Sequence, residues 1–233
     1  MTTNTKFISL CLGLLVLFTS GCTTGSFGHR EENCNPDQQL DQLLTAYEEG
    51  RNDGVNSSGN VLVDCERARN AIERLALQFP AHAPTLLAAG TLAYEAGEPE
   101  KSQNYLDQLF RAQPAHPEAG VLRSRIAVDE GNFQLAQRVL AMQIQYTPDN
   151  AALREALSGL LYMSGDLQGS RAAIDAAEKL GAPAWRVAYH RGLVAEAAGN
   201  SGEAQTQYQA CLDANPSFSA AKSRLSGMKS QGG

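Results

Sequence analysis

Apolar residues follow two different patterns along the chain. Near the amino terminus Phe7 to Phe18 (FISLCLGLLVLF) is an almost unbroken apolar run, preceded by Lys6 and followed by the small residues Thr19, Ser20 and Gly21. From Asp64 onward apolar positions instead recur at helical spacing, as at Ala68, Ile72 and Leu75, and the helical pattern itself repeats. Gly97, Gly131, Gly165 and Gly199 lie 34 residues apart, each followed by Glu, Asn or Asp. Small residues precede each glycine (Gly90, Ser124, Ser158, Gly192) and follow it (Ser102, Ala136, Ser170, Ala204), and then comes a large apolar one (Leu106, Leu140, Ile174, Tyr208). Pro114, Pro148 and Pro216 close three units, while the third has Ala182 in register and its proline one place late, at Pro183. Each marked position has a physical reason in a pair of antiparallel helices. Glycine ends the first helix in a left-handed cap, small residues allow close approach, and proline stops the second helix.

This 34-residue pattern resembles the tetratricopeptide repeat. The resemblance implies an all-α fold, a right-handed α-superhelix of about five helix-turn-helix repeats and about eleven helices over residues 36–228. Four units run over 83–116, 117–150, 151–184 and 185–218. An earlier, degenerate one covers 36–82: its second helix, Asp64 to Phe79, is in phase, but Gly50 lies 13 residues before its in-phase position. The polar insert Arg51 to Leu62 reads as a loop at the tip of that hairpin. Residues 219–233 are a cap and tail, with a short capping helix, Phe218 to Met228, turning its Lys and Arg to solvent. Arg123 and Arg191 stand where the family places a core Leu.

A basic start, a short apolar core and a small-residue exit predict a signal peptide over residues 1–21. The run is shorter than the roughly 20 residues that span a bilayer, and no later run approaches that length. The small triplet before Cys22 resembles the lipobox of bacterial lipoproteins, with Thr19 in place of the usual Leu. That resemblance implies acylation of Cys22, palmitate included; ordinary signal peptidase cleavage, giving a soluble exported protein, is the other reading. Thr23 after the cysteine resembles the outer-membrane sorting pattern, which implies anchoring on the periplasmic face. Residues 22–35 then serve as lipid anchor and flexible tether.

Composition narrows the chemistry further. With 25 acidic against 19 basic residues and a formal charge of -6, the chain lacks the clustered cations that nucleic acid requires. Phosphate loops, H-E-x-x-H, C-x-x-C and nucleophile elbows are absent, so neither enzyme activity nor a cofactor or metal is expected. Two S-x-x-K matches, at Ser219 and Ser226, fall in the cap without partner motifs. His82 and His116 lie between units, His29 in the tether and His190 inside a helix, none at ligand spacing. Of five cysteines, Cys11 leaves with the leader and Cys22 takes lipid. Export favours a disulfide between Cys34 and Cys65, whereas an antiparallel hairpin puts them at opposite ends. Cys211 reads as a buried thiol beside Tyr208 and Leu212.

Family resemblance also implies a concave face lined by the first helices. Carried over residue by residue, the lining is Leu87, Thr91, Tyr94 and Glu95, then Val121, Arg125, Val128 and Asp129. The next two units give Glu155, Tyr162 and Met163, then Tyr189, Leu193 and Glu196. Any of these side chains has the alternative of packing between neighbouring units. The implied function is a non-enzymatic scaffold holding a protein or peptide partner, in the manner of lipoproteins that assist pilus or secretion-channel assembly. An adaptor for peptidoglycan hydrolases or envelope proteases is the alternative.

Overall fold

The computed structural model describes residues 35–52 and 61–231. The expected leader, Cys22, the tether and Cys34 lie outside the described residues. Eleven helices are described: α1 (Pro36–Asn52), α2 (Val61–Gln78), α3 (Ala83–Glu95), α4 (Pro99–Ala112), α5 (Pro117–Asp129) and α6 (Phe133–Tyr146), then α7 (Ala151–Met163), α8 (Leu167–Lys179), α9 (Ala184–Ala197), α10 (Ser201–Ala214) and α11 (Ser219–Gln231). Among the described residues there is no strand, and no described helix is long and apolar enough to cross a membrane.

The turn glycines behave as their spacing predicts. Gly97, Gly131, Gly165 and Gly199 have φ of 76°, 75°, 85° and 78°. In each case the glycine N–H and the next N–H donate back to the carbonyls of Schellman pairs, as in Gly97 to Tyr94 and Glu98 to Ala93. That motif satisfies carbonyls which the helix end would otherwise leave bare. Gly181 (φ 89°) makes a fifth such cap at the end of α8, with bonds to Glu178 and Ala177. It accounts for the late proline. Where a proline closes the unit, the residue before it is extended (Gln113 φ −141°, Thr147 φ −135°, Asn215 φ −142°), because the proline ring disfavours a helical predecessor. In the third unit glycine ends the helix instead, and Pro183 is the N-cap of α9. Asn132, Asn150 and Asp166 cap their helices by accepting from the N–H three residues on, at 2.8–3.1 Å, each contributing about 1 kcal/mol.

Packing follows the small and large positions. Leu106, Leu140, Ile174 and Tyr208 are fully buried, and burying side chains of this size contributes about 1.5–3 kcal/mol each. Opposite them the first helices carry small residues. A Cβ on Gly90 would sit 3.4 Å from Leu106, whereas one on Gly192 would come within 2.5 Å of the Tyr208 ring. Ser158 and Ser170, both buried, share a hydrogen bond of 3.0 Å across the α7–α8 hairpin. Gly120 is needed for a different reason: the fully buried Gln143 lies against it, and a Cβ there would meet Gln143 Cγ at 2.5 Å.

Two expected core leucines are replaced by ion pairs. Arg191 on α9 donates to Asp175 and Glu178 on α8, both at 2.6 Å. Two repeats earlier, Arg123 on α5 approaches Asp107 on α4 at 3.9 Å, with its side chain only 13% exposed. The aliphatic stems fill the leucine volume while the heads reach carboxylates.

The degenerate amino-terminal unit departs from its expected boundaries. Helix α1 continues through Gly50 to Asn52 and α2 begins at Val61, so both helices take residues from the expected loop; 53–60 lie outside the described residues. At the far end α11 buries Ala221 and Leu225. Lys222 is exposed, and Arg224 reaches back to Glu196 at 3.2 Å.

Cys211 is fully buried, which pushes its thiol pKa up. Cys65 donates through Sγ to the Tyr47 carbonyl at 3.6 Å. Asn35, the chain neighbour of Cys34, stands at the opposite end of α1, about 18 Å away along the helix at 1.5 Å per residue. A disulfide tolerates at most about 7 Å between Cα atoms. Peptide mapping of the native protein under non-reducing conditions is therefore expected to find Cys65 alkylated singly; a Cys34–Cys65 cross-linked peptide would show that α1 unwinds at its start.

Candidate functional site

Odd-numbered helices touch in succession, α1 with α3, α3 with α5, α5 with α7 and α7 with α9, while even-numbered ones pack on the odd helices either side. The odd helices thus form one continuous layer. Sequence reasoning placed the partner-binding residues on this inner face, at positions 34 residues apart.

Some of those residues serve the fold. Leu193 is only 7% exposed and belongs to the cluster around Tyr208 and Cys211, against which Tyr162 and Tyr189 also pack. Tyr189 meets Phe218 edge to face at 4.9 Å, and burial raises its phenol pKa. Leu87 lies against the amino-terminal core, and Val121 and Val128 against the central one. The Thr91 hydroxyl donates to the Leu87 carbonyl at 2.9 Å.

The polar members meet across helix boundaries. Tyr94 on α3 donates its hydroxyl to Asp129 on α5, and the Arg125 guanidinium lies 5.3 Å from the centre of the Tyr94 ring. Burial and the Asp129 bond both push the Tyr94 pKa up. On α7, Glu155 is 16% exposed and faces Arg186 of α9 at 3.2 Å and His190 at 3.7 Å. Burial alone would raise the Glu155 pKa, but His190 and Arg186 outweigh it and hold the carboxyl below its ordinary value. Glu196 accepts from the Tyr208 hydroxyl at 2.5 Å and from Arg224 at 3.2 Å. Burial, with that bond second, carries the Tyr208 phenol far above its usual range.

After these pairings the inner face keeps a small set of groups outside any ion pair. Glu95, Arg125 and Met163 are exposed, Met163 to 56%. Among the described residues no carboxylate lies within ion-pair distance of Arg125.

Sequence reasoning missed three contributors: Arg186, His190 in its pairing role, and Gly159. The repeat register contained a signal for the last. Gly159 is in line with Thr91, Arg125 and Leu193, and it leaves a recess of about 150 Å³ lined by Val121, Ala152, Glu155, Ala156, Gly159, Arg186 and His190. Its φ is not among the positive ones. An added Cβ would meet only His190 Cε1, at 3.6 Å, an ordinary contact. Neither turn geometry nor packing calls for glycine here, although glycine inside a helix costs about 1 kcal/mol relative to alanine.

Comparison with known proteins agrees with this architecture. The family model described as tetratricopeptide repeat matches residues 87–136 and 121–185. A thermophilic tetratricopeptide-repeat protein of Thermus thermophilus superposes with a TM-score of 0.67 at 16% identity, over 83% of this chain and 98% of that one. A tetratricopeptide repeat protein from Parabacteroides merdae gives 0.63 at 16% identity, over 83% and 80%. YrrB, described as a tetratricopeptide-repeat protein with an unusual peptide-binding site, gives 0.51 at 15%, over 79% and 98%. No curated protein matches the sequence. The family model thus matches residues 87–185, and the helices on either side extend them into one superhelical solenoid of the tetratricopeptide-repeat fold.

Proposed function

We propose that this protein is a non-enzymatic scaffold which holds a protein partner against its inner face. The observation that carries the reading is the state of that face once internal pairings are counted. Three carboxylates are engaged within the chain, while Arg125 and Met163 remain available at its centre; an exposed thioether adapts to irregular partner surfaces, and arginine is enriched at protein interfaces. The peptide-binding site attributed to YrrB supports the same use of the fold. Cys22, following a signal-peptide pattern, carries lipid and anchors the scaffold to the periplasmic face of an outer membrane. More than one acyl chain makes such anchoring stable. The partner belongs to an envelope machine such as a pilus or secretion channel.

A photo-crosslinking residue installed at Met163, and separately at the outward Met142 of α6, tests the face in the native envelope. Specific adducts from Met163 alone are expected; adducts from Met142 alone would move the site to the outer helices. In the same cells Cys22→Ala is expected to lose palmitate labelling and membrane fractionation, and retention of both would remove the anchor.

A further inference from the structure

We infer that the recess at Gly159 is an anchoring pocket for one apolar side chain of the partner, and that this side chain sits next to a carboxylate which pairs with Arg125. The inference rests on the reading of the inner face as the partner-binding surface and specifies what that surface selects. Three considerations converge on it.

The first is the glycine itself. Helix-interior glycines at 120 and 192 are enforced by Gln143 and Tyr208, each within 2.5 Å of the missing Cβ. Gly159 has no such neighbour, so α7 gives up helix stability for an empty space. A recess maintained at the expense of stability is what a binding site produces.

The second is size and lining. About 150 Å³, floored by Ala152, Ala156 and Gly159 with Val121 at the side, suits one side chain of leucine or methionine class and excludes an indole. Met163, one turn beyond Gly159 on α7 and exposed, is placed to close over an inserted group.

The third is charge. Within the recess Glu155 is already paired with Arg186 and faces His190. Asp129 is occupied by Tyr94. The charge beside the recess without an ion-pair partner is Arg125, which the repeat register puts on the adjacent helix α5 at the level of Gly159, its guanidinium laid over Tyr94. Glu118 begins α5 farther along and lies 3.2 Å from His116. An acidic residue in the partner complements Arg125; a basic one there would be repelled.

The test uses the full chain with methyl-labelled Val, Leu and Met, titrated to millimolar concentration with capped Gly-Ser hexapeptides carrying one central pair: Glu-Leu, Lys-Leu or Glu-Ala. The Glu-Leu peptide is expected to shift the methyl signals of Val121 and Met163. Glu-Ala should bind about tenfold to a hundredfold more weakly, the ratio for losing a buried leucine. Lys-Leu should be weaker as well. Gly159→Met should abolish the response while raising the melting temperature, a combination that misfolding cannot produce. Arg125→Glu should reverse the preference to Lys-Leu. Silence of Val121 and Met163 with the Glu-Leu peptide, equal response to Lys-Leu, or undiminished binding by Gly159→Met would each overturn the recess. Shifts confined to Leu87 and Val128 would overturn the recess and leave the inner-face reading standing. Shifts confined to Val139 and Met142 of α6 would overturn both.

Discussion

Gly192→Ser is expected to destabilise the protein by about 1–3 kcal/mol, the usual range for overpacking a well-filled core. Serine is a better helix former than glycine, so a small gain opposes the clash, but a Cβ within 2.5 Å of a fully buried tyrosine ring decides the sign. Tyr208→Leu alone is expected to cost about 2 kcal/mol or more, from the cavity it leaves and from the loss of its hydroxyl bond to Glu196. Together the two substitutions recreate the pair found in the second unit, Ser124 with Leu140. The double variant should therefore be more stable than the sum of the single losses allows, with a coupling energy of about 0.5–3 kcal/mol. A urea denaturation cycle over the four proteins reads this directly. Strict additivity would mean that Tyr208 moves aside for the serine and that the glycine is not set by the ring.

Gln143→Leu carries the other large effect, by a different mechanism. Gln143 is fully buried on α6, accepts from the His116 N–H at 2.9 Å and donates to the Pro114 carbonyl at 2.7 Å. It therefore pins the connection between α4 and α5 to the next helix. Leucine has nearly the same volume and neither function. Two partly buried backbone groups lose their partners, and because water reaches them in part the total loss expected is about 1–3 kcal/mol. Amide exchange supplies the local signature: the His116 amide should lose protection more than the amides of α7. A uniform loss throughout the chain would point instead to general loosening of the core.

These two sites illustrate what the sequence makes legible. Glycine and proline positions dictate backbone, so their 34-residue register marked helix boundaries and the antiparallel pairing within each unit. Small-to-large alternation likewise identified the contact between the two helices of a unit. Gly50 misleads because the same residue is tolerated inside a helix, where nothing local distinguishes it from a cap. Pro183 being one place late looked like a defect of the repeat; it reflects a change of stop signal, since Gly181 already ends α8. Side-chain availability on the inner face was less legible. Glu155 and Arg186 are 31 residues apart, and only the packing of α7 against α9 brings them together. Leu193 occupies a groove position in register but is drawn into the core by the large ring of Tyr208. A missing side chain at Gly159 offers nothing to a search for functional groups, and becomes visible only when its equivalents at 91, 125 and 193 are placed beside it.

The Tyr94–Asp129 and Glu155–Arg186 links have a mechanical side. Both join one repeat to its neighbour through the inner layer, where successive odd-numbered helices touch. Flattening the superhelix must stretch both links, whereas tightening it need not. Each is modest on its own, as exposed polar pairs are, yet they act in the same sense. The solenoid should accordingly resist being opened by an outward pull more than being closed around something held inside it, a one-sided compliance suited to a clasp.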